Sequence, residues 1–149
     1  TEMIYYDRVQ TDWPLQINLQ VGSHTPSWCT ASGKLYLSSL PKQRRLKIIN
    51  LLPMERYTRN TITDAKTLEN ELQRIKKTEV GTDNEEFCEG MVACAVPVLD
   101  SSGKLLACLF THAPVIRKSL DELLGYLPIL RQAADELGRI IDDPDDDQP

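Results

Sequence analysis

Residues 97–107 read PVLDSSGKLLA, and this stretch decides the fold. The turn sequence at residues 100–103, Asp-Ser-Ser-Gly, separates the apolar run 92–99 from a second apolar run, 104–112. Two such runs joined by a short turn that ends in Gly predict an antiparallel hairpin. Both runs are apolar over most of their length, so we expect the two strands to lie in the centre of a sheet.

Further strands and helices are predicted on the N-terminal side of this hairpin. Ile, Tyr and Val at residues 3–9, and alternating apolar and polar residues at 15–20, predict two strands, and residues 79–84 predict a third. Apolar residues at helical spacing predict helices from about residue 29 to 38, from 41 to a stop at Pro53, and from a cap at Thr63 or Asp64 onward.

The C-terminal part predicts one long helix. Ser119 followed three residues later by Glu122 forms a capping box, and leucines continue at helical spacing to Ile141. Pro128 is expected to kink this helix. The acidic tail, residues 142–149, lacks large apolar side chains and is predicted to be disordered, which leaves residues 1–141 as one domain.

The order of elements predicts an α+β fold, in which helices cover an antiparallel sheet, because the pattern lacks the strand–helix alternation of a doubly wound parallel sheet. The 149 residues are 41% apolar, which is enough for one hydrophobic core. No apolar run approaches the roughly 18 residues of a membrane span, and no export signal begins the chain. We therefore expect a cytoplasmic protein without membrane contact.

Composition also allows predictions about nucleic-acid binding, metal binding and the burial of the cysteines. A formal net charge of −5 argues against direct binding of nucleic acid. The chain has two histidines, and its four cysteines are spaced unlike zinc ligands, so neither a metal nor another cofactor is expected. Cysteines in apolar surroundings are expected to be buried free thiols of a reducing compartment.

Several short motifs follow one another in a set order: VGSHTP, TASGK, TITD, TDNEEFCEGM, PVLDSSGKLLA and the turn His-Ala-Pro. In this order and spacing, from Ile4 to Ile141, the chain resembles the effector-binding domain of the IclR family of bacterial transcription regulators. The resemblance implies a GAF-like or profilin-like α+β fold, with about six strands in a curved antiparallel sheet flanked by helices. It also implies a homodimer or a dimer of dimers, and operator DNA binding through an N-terminal winged helix-turn-helix domain that is absent from this chain.

The resemblance places a small organic carboxylate at the start of the first helix, against Ala31 and Ser32. Unpaired backbone N–H groups and the positive end of the helix dipole can hold a carboxylate there without a basic side chain. Asp83 aligns with an acidic pocket position of the family. An exposed turn aspartate is the alternative for Asp83, and the neighbouring Glu85 and Glu86 are expected to be solvated and to point in opposite directions.

The pocket wall departs from the usual family pattern. Ala93 stands where members often have Cys, and Phe110 and His112 stand where they often have Ser. Phe110 and His112 are two apart on a strand and so share one face. If that face lines the pocket, we expect a ligand that is bulkier or more apolar than glyoxylate or pyruvate. In the alternative, both side chains belong to the core.

Three other functions remain open at this point. A ligand-free oligomerisation module would have its pocket filled by large apolar side chains such as Phe110 and Trp28. A thiol enzyme resembling the GAF-like methionine sulfoxide reductases would need an accessible, activated cysteine. A metal sensor would need His and Cys ligands at suitable spacing. We expect no enzymatic activity, and a nucleotide-binding P-loop is excluded at TASGK because Trp28 stands where its first Gly should be.

Overall fold

The computed structural model describes residues 1–15 and 19–142. The described strands are β1 (Glu2–Ile4), β2 (His24–Pro26), β3 (Gly81–Asn84), β4 (Met91–Leu99) and β5 (Leu105–Pro114). The described helices are α1 (Ala31–Ser39), α2 (Lys42–Ile49), α3 (Ala65–Thr78), α4 (Leu120–Leu124) and α5 (Leu127–Asp142). All strand pairs are antiparallel, which confirms the predicted α+β class.

The predicted hairpin forms two of the three strands of the larger sheet. β4 is central, as predicted, whereas β5 lies at an edge of this sheet. β4 and β5 pair with Ala93 opposite His112, and the turn between them is closed by Gly103, whose φ of 82° suits glycine. β3 pairs with the other edge of β4, with Asp83 opposite Ala93, so the strand order is β3-β4-β5. This register places three of the predicted site residues side by side.

The number of strands differs from the predicted six. Five strands are described, in one sheet of three and one of two. The strand predicted at 3–9 is shorter, because only Glu2–Ile4 pairs with β2. Part of the strand predicted at 15–20 lies outside the described residues, and neither Leu15 nor Leu19 is in a strand.

Nearby residue types predicted some helix ends correctly and others wrongly. Asp64 caps α3 by accepting a hydrogen bond from Thr67 N at 2.9 Å, as predicted. Glu79 ends this helix in the left-handed region, with a φ of 55°, so the following strand begins at Gly81 and not at residue 79. The capping box of Ser119 and Glu122 is confirmed, but it begins a helix of only five residues.

The kink predicted at Pro128 is wrong. Gly125 and Tyr126 separate α4 from α5, and Pro128 lies in the first turn of α5, where a missing N–H removes no helical hydrogen bond. α5 extends to Asp142, the first residue of the predicted disordered tail, and residues 143–149 of that tail lie outside the described part of the chain.

Both faces of the three-stranded sheet are covered, and β4 alternates between them. Ala93 and Ala95 pack with α1 and α3, whereas Val92 and Cys94 pack towards α4 and α5. This double burial explains why β4 is a continuous apolar run. Gly81 allows α1 to lie against β3, because a Cβ there would overlap the Ala31 carbonyl group. The start of α1 is therefore held directly against the sheet.

Candidate functional site

The candidate site begins at the first turn of α1. Thr30 precedes the helix in an extended conformation, and its Oγ1 accepts a hydrogen bond from Gly33 N at 3.2 Å while donating one to Pro26 O at 2.7 Å. This cap satisfies the third amide of the helix. The amides of Ala31 and Ser32 precede it, at positions where a helix provides no carbonyl partner. They can donate to an anion.

All six predicted site residues line one cavity between α1 and the sheet. The space open to the centre of a water molecule is about 20 Å³, which is enough for about one water. The structure thus brings together six residues that are distant in the sequence: Ala31, Ser32, Asp83, Ala93, Phe110 and His112. Their role in binding is a prediction.

Asp83 is the acidic group of this cavity, and it is only 1% exposed, so the alternative of an exposed turn aspartate is wrong. Its Oδ1 accepts hydrogen bonds from the backbone N–H groups of Glu86, at 2.7 Å, and Phe87, at 3.4 Å. Burial raises the pKa of Asp83 to about 7, and the nearby charge of Glu86 adds to this. Near neutral pH the carboxyl group can therefore either donate or accept a proton.

A buried ion pair lies behind Asp83, and the sequence analysis missed it. The Lys34 side chain is fully buried, and its Nζ lies 2.8 Å from both carboxylate oxygens of Glu86 and 3.2 Å from Glu71 Oε1. The expectation of a solvated Glu86 is therefore wrong, since Glu86 is 8% exposed. The ion pair holds the residue whose N–H supports Asp83.

The two glutamates following β3 do diverge, although for a different reason from the one predicted. Residues 85–86 are not extended, because Glu85 has a φ of 56°. Glu85 Oε2 accepts a hydrogen bond from Gly90 N at 2.8 Å, whereas the carboxylate of Glu86 turns to Lys34. They do not converge as a pair of acid–base groups would.

Aromatic side chains form the wall opposite α1. Phe110 and His112 lie on the same face of β5 with their ring centroids 5.8 Å apart, as predicted. Tyr5, which the sequence analysis did not single out, meets Phe110 edge to face at 5.1 Å. Burial, and secondarily the charge of Asp83, raises the pKa of Tyr5, so its phenol stays protonated. Its place in the strand predicted at residues 3–9 was the only available sign.

The thiols differ in accessibility. Burial raises the pKa of Cys29 to about 12, of Cys94 to about 11 and of Cys108 to about 12, which disfavours the reactive thiolate. Cys88 is exposed, contrary to the expectation that all four would be buried. Within residues 1–15 and 19–142, no cluster of His, Cys, Asp and Glu could hold a metal ion, and no helix could cross a membrane.

Residues 1–139 match the family described as bacterial transcriptional regulator IclR C-terminal. The probable transcriptional regulator SauR of Cupriavidus necator is 42% identical over 136 residues, which are 91% of this chain and 54% of that protein. The regulator KdgR of Escherichia coli is 30% identical, over 89% of this chain and 50% of its own length. The chain thus spans about half the length of these curated relatives.

Solved structures share the fold. The inducer-binding domain of the PobR transcription factor of Acinetobacter, a double mutant in complex with 3-hydroxybenzoic acid, is similar with a TM-score of 0.80 and 30% identity. That likeness covers 85% of this chain and 74% of the PobR chain. The IclR protein of Thermotoga maritima is similar with a TM-score of 0.86 and 26% identity, over 95% of this chain and 57% of that one.

Proposed function

Since this chain belongs to the family of IclR C-terminal domains of bacterial transcription regulators, we propose that it senses a small organic carboxylate and has no enzymatic activity. The carboxylate binds at the first turn of α1, between Ser32 and Asp83. One observation carries the proposal: the first two residues of α1, Ala31 and Ser32, line the same cavity as the buried Asp83. The 3-hydroxybenzoate complex of the PobR inducer-binding domain supports this class of ligand.

The cavity offers the ligand complementary groups at both ends. Ala31 N–H and Ser32 N–H donate to the carboxylate at the positive end of the helix dipole, and the Ser32 hydroxyl adds a further donor. Asp83, once protonated, donates to a carboxylate, and in its ionised form it accepts from a ligand hydroxyl group. Ala93, Phe110 and His112 surround the rest of the ligand and favour an apolar or planar body.

The response to the ligand is transmitted to DNA by a domain outside this chain. We propose that ligand binding shifts the population of two arrangements of the whole regulator, within a homodimer or a dimer of dimers. Apolar side chains on α5 support assembly, because Ile129 is 68% exposed and Ile140 is 51% exposed. Sedimentation of the parent chain and of Ile129→Glu tests the proposed self-association, and a monomer in both samples would contradict it.

Binding is tested by thermal unfolding and calorimetry with a panel of small aliphatic and aromatic carboxylates. A saturating ligand should stabilise the chain by roughly 2.7 kcal/mol at about a hundred times its Kd. Ser32→Ala and Asp83→Ala should reduce this stabilisation. Ser39→Ala is the matched control, because Ser39 lies on the same helix and its exposed hydroxyl donates to Tyr36 O. Equal responses from all four proteins would contradict the proposed site.

A ligand-free assembly module is the second candidate, because the cavity has room for only about one water. In that case Phe110 and Tyr5 act as core residues, and no carboxylate in the panel stabilises the chain. Self-association without any ligand response would favour this module over the sensor.

A further inference from the structure

We propose that Tyr5 controls access to the ligand site: its ring occupies the space for the body of the ligand and leaves when a carboxylate of benzoate size binds. This inference rests on the proposed sensing function and adds to it a residue that controls access to the cavity. It starts from the small volume of the cavity. About 20 Å³ accommodates one water and no organic acid, so one wall must move before any ligand enters.

Most of the wall is held by regular structure. Met91 and Ala93 belong to β4, which pairs on both sides, and Phe110 belongs to β5. Ala31 and Ser32 form the first turn of α1, which lies against β3 without space for even a Cβ at Gly81. Retreat of the backbone at any of these residues would break sheet or helix hydrogen bonds.

Tyr5 is attached differently. It follows β1, and its backbone makes two hydrogen bonds, from Tyr5 N to Ser23 O at 3.1 Å and from Gly22 N to Tyr5 O at 2.7 Å. Its neighbours face solvent, since Ile4 is 61% exposed and Tyr6 is 93% exposed. Tyr5 alone of these three turns inward, so its side chain can leave by a change of rotamer while its backbone stays in place.

The contacts that Tyr5 releases are ones that a ligand can replace. Its ring lies edge to face on Phe110, with centroids 5.1 Å apart. A planar apolar ligand can take the same place against Phe110, with its carboxylate towards the first turn of α1. A small acid such as pyruvate has no ring to offer Phe110. A ligand with a ring therefore recovers the aromatic contact that Phe110 loses when Tyr5 leaves.

The consequence for affinity follows from the population of the open form. If Tyr5 leaves the cavity in about one tenth of the molecules, the apparent Kd of a ligand that needs the open form is about tenfold higher than its intrinsic Kd. Tyr5→Ala removes this barrier. We expect Tyr5→Ala to bind benzoate about tenfold more tightly than the parent chain, and Tyr5→Phe, which keeps the ring, to bind within about twofold of the parent.

Tyr6→Ala is the matched control, because it removes the neighbouring ring that faces solvent. Calorimetry with benzoate compares the parent chain with Tyr5→Ala, Tyr5→Phe and Tyr6→Ala. A tenfold gain for benzoate in Tyr5→Ala alone supports the proposal. Equal or weaker benzoate binding by Tyr5→Ala overturns it while leaving the sensing function in place.

A second measurement covers the case in which Tyr5→Ala does not fold. Fluorine NMR of the chain labelled with fluorotyrosine follows Tyr5, whose resonance is assigned with Tyr5→Phe. Benzoate should move that resonance to the position of an exposed tyrosine, and an unchanged resonance at saturation overturns the proposal.

The two proposals can fail separately. If no carboxylate binds any variant, the sensing function is wrong and the role of Tyr5 is wrong with it. If Tyr5→Ala gains affinity and Ser32→Ala added to it changes nothing, Tyr5 does control access, but the carboxylate does not bind at the first turn of α1.

Discussion

Replacing Asp83 with Asn should remove a loss of stability that the parent chain suffers as the pH rises towards neutrality. Asn keeps the Oδ1 acceptor for the N–H groups of Glu86 and Phe87, so the local hydrogen bonds can persist. It cannot ionise. The substitution therefore isolates the free energy of placing a carboxylate charge in this cavity.

The sign and size follow from the pKa. Burial raises the pKa of Asp83 from 3.8 to about 7, so the folded state holds the proton more tightly than the unfolded chain does. The stabilisation is complete below the unfolded pKa of 3.8 and is lost as the pH rises through about 7. Between about pH 5 and about pH 8, linkage makes the loss about 2–3 kcal/mol.

Urea unfolding of both proteins across this pH range measures the effect. The free energy of unfolding of Asp83→Asn should rise relative to the parent by about 2–3 kcal/mol from the acidic to the basic end. Asp64→Asn is the control. Asp64 is an exposed helix cap whose pKa is lowered by its hydrogen bonds with Thr67, so its stabilisation is lost only as the pH falls. A constant difference between Asp83→Asn and the parent would refute the reasoning.

Three further outcomes are expected. Lys34→Met leaves the buried Glu86 without its cation and should lower the free energy of unfolding by about 3–5 kcal/mol in urea titration. The double variant Lys34→Met/Glu86→Leu should regain part of this stability, and no regain would contradict the ion-pair explanation. Leu72→Ala, at a fully buried position of α3, should cost about 2–5 kcal/mol, and a much smaller loss would mean that the surrounding core collapses into the space. A chromogenic thiol reagent should modify the exposed Cys88 fast in the native chain and the other three cysteines slowly; four fast thiols would revive the thiol-enzyme alternative.

Prediction from sequence succeeded where the interactions are local. The hairpin depends on a turn of four residues between two apolar runs, and the caps at Asp64 and Ser119 depend on hydrogen bonds that span three residues. Each of these features carries its partner within a few positions, so residue types alone identify it. The kink predicted at Pro128 was wrong because a proline is suited both to a kink within a helix and to the first turn of a new helix, which is where Pro128 lies.

The site was predicted only in part. The resemblance supplied Ala31, Ser32 and Asp83, and the alternation of a strand put Phe110 and His112 on one face. Lys34 and Glu86 were missed because they are 52 residues apart, and a lysine or a glutamate by itself predicts a solvated side chain. Only their mutual contact makes their burial possible.

The amino-acid sequence by itself determined the α+β class, the hairpin and the family, and it predicted the start of α1 as the place for an anion. Tertiary structure alone decided that Asp83 is buried with a raised pKa, that Lys34 is committed to an ion pair, and that Tyr5 closes the cavity against Phe110. The physical reason is that burial and charge pairing depend on which distant segments meet, and no local pattern of residue types encodes the distance between them.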